Sequence, residues 1–171
     1  MLEWATRDEI DAPLGEVERA VLDSSLLPEI VARAPMIAEA SLVERIEGEH
    51  RIVRRVRMRS AITPPLFLRV VEGDHLEWIE EVAWDRVAHT GRVTITPNLR
   101  PERRHLLRCE GTYALMPRGE RTEREVCITI DVGMRIVGPL VERLVASQLG
   151  PQLDAELAAL RARTERKQSA A

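Results

Sequence analysis

Arg54 and Glu80 are the first residues to weigh, because each interrupts an apolar row on a candidate strand. The stretch RIVRRVRMRS carries five arginines within residues 51–60. Alternate side chains of a strand point to opposite faces. Arg51, Val53, Arg55, Arg57 and Arg59 therefore share a solvated face, with Glu44 and Glu81 available to balance them. Ile52, Arg54, Val56, Met58 and Ser60 share the inward face, with Arg54 as its one charge. In LEWIEEVAW the inward row is Leu76, Trp78, Glu80, Val82 and Trp84, and Glu80 is the exception. An unpaired buried charge costs several kcal/mol, so Arg54 and Glu80 on neighbouring strands are expected to pair. Such a pair is either structural or a recognition point for a polar group on an otherwise apolar ligand. A bulge that lets one charge escape to solvent is the alternative.

The same parity turns Val93 and Ile95 inward, then Leu107, Cys109, Gly111, Tyr113 and Leu115. In the last strand Val126, Ile128, Ile130 and Val132 form the inward row. Tyr113, the only tyrosine, needs a partner for its hydroxyl if buried. Cys109 faces in and Cys127 faces out, so no disulfide is expected between them. Neither cysteine has the Cys or His spacing of a zinc site, and no cofactor is called for. His89 and His105 could exchange protons near neutral pH but sit at strand ends, where partial exposure is the plainer expectation. Aromatic residues make up only 3% of the chain, so an internal wall would be mainly aliphatic, with Trp78 and Trp84 its largest surfaces.

These residues need a sheet and something for it to face. Residues 2–11 alternate as a half-buried strand, and two short helices are expected over 12–34, each with a proline near its first turn. From 36 to about 134 the period is two, with turns at Glu47-Gly48-Glu49, Gly73-Asp74, His89, Pro97–Arg103 and Arg118-Gly119. Pro64-Pro65 breaks that run, and a short helix is expected over 66–72. The end returns to a helical period, with Val137, Leu140, Val141, Leu144, Leu149, Leu153, Leu157 and Leu160 on one stripe. Leu140, Leu144 and Leu149 are expected to face the sheet, with Gln148 between their ridges. Gly150-Pro151 should kink or briefly interrupt that helix. The expected fold class is α+β: a curved antiparallel sheet of about seven strands wrapped on a long C-terminal helix, with two short helices after the first strand. One domain over 1–164 is expected, followed by a frayed polar tail over 165–171.

This order, with the ending VGMRIVGPLVERLVASQL, resembles the START-like (SRPBCC) superfamily of pollen-allergen-like proteins, lipid-transfer domains and polyketide cyclases. It looks closest to an uncharacterised bacterial branch with a G-x-x-(V/L)-E motif opening the final helix, here Gly138, Val141 and Glu142. The resemblance implies a helix-grip fold whose cavity takes lipids, sterols, polyketides or other apolar molecules. No cyclase-type motif is present, so no catalytic residue carries over.

The leading expectation is a binder or carrier of a hydrophobic small molecule, such as a lipid, isoprenoid or polyketide-like compound. Its wall would comprise Arg54, Met58, Trp78, Glu80, Val82 and Trp84 from the central strands. Val93, Ile95, Cys109, Tyr113, Ile128 and Ile130 would continue it, with Leu140, Leu144 and Gln148 from the helix. The alternative is a cyclase-, aromatase- or hydrolase-type enzyme using the same cavity. A third class, a surface module using the outer arginines, is disfavoured for nucleic acid by the net charge of −3 and the lack of interleaved aromatics. The start MLEWATRDEID lacks the pattern of a signal peptide, and no apolar run reaches the 18 or so residues of a membrane span. A cytoplasmic location is the default expectation, with transient membrane contact and oligomeric state left open.

Overall fold

The computed structural model describes residues 1–134 and 138–168. Strand β1 (Leu2–Ile10) is followed by helix α1 (Leu14–Leu22), a 3₁₀ turn (Ser24–Leu26) and helix α2 (Leu27–Val31). Then come β2 (Ile37–Glu47), β3 (Arg51–Ser60), the short helix α3 (Pro65–Leu68), β4 (Glu77–Asp85) and β5 (Thr90–Pro97). A 3₁₀ segment (Pro101–Leu106) leads into β6 (Leu107–Arg118), β7 (Arg121–Val132) and the 31-residue helix α4 (Gly138–Gln168). The helix continues through Pro151 without interruption. Val137, expected on its stripe, and residues 169–171 of the expected tail lie outside the described residues.

All pairings are antiparallel, in one seven-stranded sheet of order β1-β7-β6-β5-β4-β3-β2. The chain thus meanders from β2 to β7, and β1 closes on β7, so that both edge strands come from the first third of the sequence. Parity holds along the central strands. Ile52, Val56, Met58, Trp84, Val93, Tyr113, Ile128 and Ile130 are buried, while Arg51, Arg57 and Arg92 are exposed. On the outer face Arg55 bridges Glu44 and Glu81, the two carboxylates available to it by register.

The expected facing of α4 is corrected. Leu140 does not face the sheet: it is 63% exposed, and the buried stripe of α4 runs instead through Val141, Leu149, Leu153, Leu157 and Leu160. The helix start explains the difference. A Cβ on Gly138 would come within 2.7 Å of the Val132 carbonyl, so the glycine allows α4 to sit directly against the end of β7. Four residues on, Glu142 accepts a hydrogen bond from the Val132 amide at 3.1 Å. These contacts fix the helix rotation with 138, 141 and 142 inward. At about 100° per residue, Leu140 is then carried round to solvent. The G-x-x-V-E pattern is thereby explained as a seam between strand and helix. Gly111 has a comparable role within the sheet, because a Cβ there would lie 1.9 Å from the Cys127 carbonyl.

Candidate functional site

The sheet and α4 enclose a hollow divided into small voids by side chains that belong to more than one of them. An apolar void of about 80 Å³ lies toward the start of α4, walled by Phe67, Leu76, Trp78, Cys109, Leu144 and Gln148 among others. A second void, also about 80 Å³, shares Phe67 and Leu107 with it and reaches Val70, Leu99 and Val141. A third, of about 30 Å³, shares Ile95, Leu149 and Gln152 with the first and lies deeper. Its floor is polar, formed by Arg54, Glu80, Tyr113 and Glu156.

The expected pair is present. Arg54 Nη2 lies 3.7 Å from Glu80 Oε1, with side chains 12% and 15% exposed. Arg54 Nη1 also donates to the Val21 carbonyl at 2.7 Å, at the end of α1. From α4, Gln152 Nε2 reaches Glu80 Oε2 at 3.5 Å and Met58 Sδ at 3.4 Å. Burial raises the Glu80 carboxyl above the usual carboxylate range; Arg54 opposes that rise, and the like charge of Glu156 adds to it. Burial dominates because the guanidinium stands off at ion-pair rather than hydrogen-bond distance.

A second polar group adjoins it, and its central residue was not singled out from the sequence. Arg124 is fully buried. Its Nε donates to the Tyr113 hydroxyl at 2.8 Å, and its Nη1 and Nη2 lie 3.3 Å from Asp8 and 3.4 Å from Glu156. The Tyr113 hydroxyl in turn donates to Glu156 at 2.8 Å. Burial, first, and the neighbouring Glu156 keep that phenol protonated, against the pull of Arg124. Tyr113 also meets Trp84 edge to face with centroids 5.8 Å apart. The Trp84 indole donates to Glu18 at 2.8 Å, and the same carboxylate oxygen lies 2.9 Å from His89 Nδ1. Arg124 occupies the same even row as Val126 and Ile128, so extending the inward row one step toward the strand start would have found it.

The remaining candidates divide by depth. Trp78, Ile95, Cys109, Leu144 and Gln148 wall the outer apolar void; Val82, Val93 and Ile128 wall the deep one. Met58 touches Gln152 from below, while Trp84 and Ile130 are packed into the core without lining either of these voids. Leu140 joins none of them, as its exposure requires. His105 is exposed on the 3₁₀ segment. Both cysteines are free, and burial, aided by Glu80, pushes the Cys109 thiol up to about 12. Among the described residues no three His, Cys, Asp or Glu side chains converge to hold a metal, and no helix is long and apolar enough to cross a membrane.

Solved structures share this architecture. A Thermus thermophilus protein is 22% identical, with 97% of this chain and 99% of that one covered at a TM-score of 0.68. The Zhui aromatase/cyclase of Streptomyces is 14% identical, with coverage of 97% and 94% and a TM-score of 0.66. A START superfamily protein of Mycobacterium smegmatis is 15% identical, with coverage of 96% and 97% and a TM-score of 0.55. The fold is START-like, as the order of elements implied. No curated protein matches the chain. The model of the family described as "Protein of unknown function (DUF2505)" matches residues 6–163, and the chain belongs to that family.

Proposed function

We propose that the protein binds a hydrophobic small molecule in the hollow between sheet and α4, with one polar group of the ligand directed at the Arg54–Glu80–Gln152 floor. The observation that carries this reading is the run of apolar voids ending on buried polar groups, one of which, Arg54 Nε, is buried without a hydrogen-bond partner. Small-molecule sites usually enclose about 300–1,000 Å³. A lipid, isoprenoid or polyketide-like ligand would therefore merge the voids by displacing Phe67 and Leu149, the side chains that divide them. The START-like neighbours, one named as an aromatase/cyclase, support a cavity of this kind.

The test is uptake of medium-chain fatty acids and alcohols, followed by native mass spectrometry and tryptophan fluorescence. Leu149→Phe should fill the junction of the voids and weaken uptake roughly tenfold, equivalent to about 1.4 kcal/mol, with unchanged circular dichroism. Uptake by neither protein, or equal uptake by both, would overturn the reading.

One observation favours a second reading, in which the hollow is catalytic and of cyclase, aromatase or hydrolase type. A carboxyl raised above its usual range by burial suits general acid or base work, and Glu80 is such a group, with Arg54 opposing the rise. Turnover of a polyketide-like or ester substrate that survives Glu80→Gln would eliminate it.

A further inference from the structure

At the end of the molecule away from the outer apolar void, an open cleft of about 880 Å³ lies among α1, the first 3₁₀ turn, β2, the β4–β5 turn and the last turns of α4. Its walls carry Arg19, Arg45, Arg86, Arg163 and Arg166 against two carboxylates, Glu18 and Asp23, in a chain whose net charge is −3. Just behind the wall, Glu29 pairs with Arg163 and Arg166, and Glu47 pairs with Arg45 and Arg86. Arg163 is anchored further by Asp23 and Ser25 and is 15% exposed, so it forms a rigid base. Among the described residues the Arg86 side chain is held only by a 3.5 Å contact to Glu47, and Arg19 is exposed with no partner. Arg19 is thus available, and Arg86, tied by one long exposed contact, can turn from Glu47 to meet an incoming anion.

The cleft is one side chain away from the hollow. Leu22 lines both the cleft and the deep polar void. The last turn of α1 is latched from two sides: Arg45 donates to the Leu22 carbonyl, and Arg54 donates to the Val21 carbonyl from the floor of the void. Cations at the negative end of a helix are favourably placed, so the turn is a stable partition, and Leu22 is the residue that lines both of its sides.

We infer that the cleft is a vestibule for the oxyanion head, carboxylate or phosphate, of an amphiphile whose apolar chain passes Leu22 into the hollow. Guanidinium groups suit this because they match both oxyanions with two parallel hydrogen bonds. The inference rests on the binding role proposed for the hollow and adds the charge of the ligand and the side from which it enters.

Calorimetric titration with dodecanoate, dodecyl phosphate and dodecanol, each below its micellar concentration, tests it. Both anions should bind about tenfold or more tightly than the alcohol, and added salt should shrink that advantage. Arg19→Gln combined with Arg86→Gln should remove the advantage while leaving dodecanol affinity unchanged. A larger loss for one anion identifies which oxyanion the cleft serves. Equal affinity for all three compounds, or an advantage that survives in the double variant, overturns the vestibule while leaving the hollow intact. Failure of all three compounds to bind overturns the hollow, and the vestibule with it.

Discussion

Replacing Arg124 with methionine probes the buried polar group directly. The guanidinium is fully buried and faces three acceptors: Tyr113 at 2.8 Å, Asp8 at 3.3 Å and Glu156 at 3.4 Å. Removing one partner of a buried charge pair typically costs 3–5 kcal/mol, because the other charge is left uncompensated. Here the low end applies. Asp8 and Glu156 retain 23% and 18% exposure, so water partly solvates them, and Nη2 makes an ion pair to Glu156 without an aligned hydrogen bond. About 3 kcal/mol is expected, which for a domain of this size lowers Tm by roughly 6–12 °C. Urea unfolding followed by circular dichroism should show a shifted midpoint at unchanged slope. Glu156→Leu alone should also destabilise, but the double variant with Arg124→Met should lose at least about 1 kcal/mol less than the two single losses combined. An Arg124→Met loss below about 1 kcal/mol, or strict additivity, would show that Arg124 is held by packing of its stem and not by its charge.

Glu80→Gln has an effect whose sign depends on pH. The folded carboxyl titrates above its unfolded value of 4.5, so the folded state holds the proton longer, and stability from this group falls as pH rises from 4.5 through the raised folded value. The glutamine variant lacks that loss, so its Tm relative to wild type should rise between pH 4.5 and 8. A difference that falls over that range would mean that Arg54 outweighs burial. The cysteines should react in a fixed order. Cys127 is half-buried, whereas Cys109 is buried with its thiol pushed up to about 12, so iodoacetamide at pH 8 should label Cys127 first and Cys109 only on unfolding. Peptide mass spectrometry showing early Cys109 labelling would mean that the outer void opens readily to solvent.

Strand parity made the sheet legible because it depends only on neighbours in sequence. It paired Arg54 with Glu80, set Tyr113 inward and separated Cys109 from Cys127, all before any partner was known. It could not say what an inward side chain meets. Arg124 belongs to an inward row readable two residues at a time, yet its reason for being there is Asp8 on β1 and Glu156 on α4, and no local window contains those three. The helix was harder to read than the strands for a related reason. Leucines at 140, 144, 149 and 153 fit a helical period, but the rotation of α4 is set by Gly138 and Glu142 against Val132, a contact with another element.

The arginines bring out the same physical point. The densest run in the chain, residues 51–60, alternates across a sheet and places most of its charge in solvent or on Glu39, Glu44 and Glu81, where exposed pairs contribute little. The cluster that shapes a cleft is assembled from Arg19, Arg45, Arg86, Arg163 and Arg166, scattered from α1 to the last turns of α4. A strand advances about 3.3 Å per residue and turns its side chains alternately, so a local run of charge is spread out by the backbone that carries it. Convergence of like charge requires chain reversal. Where a fold brings five guanidiniums to one wall and needs Glu29 and Glu47 behind them to tolerate it, an incoming anion meets groups already gathered, and the cost of gathering them has been met in folding rather than in binding.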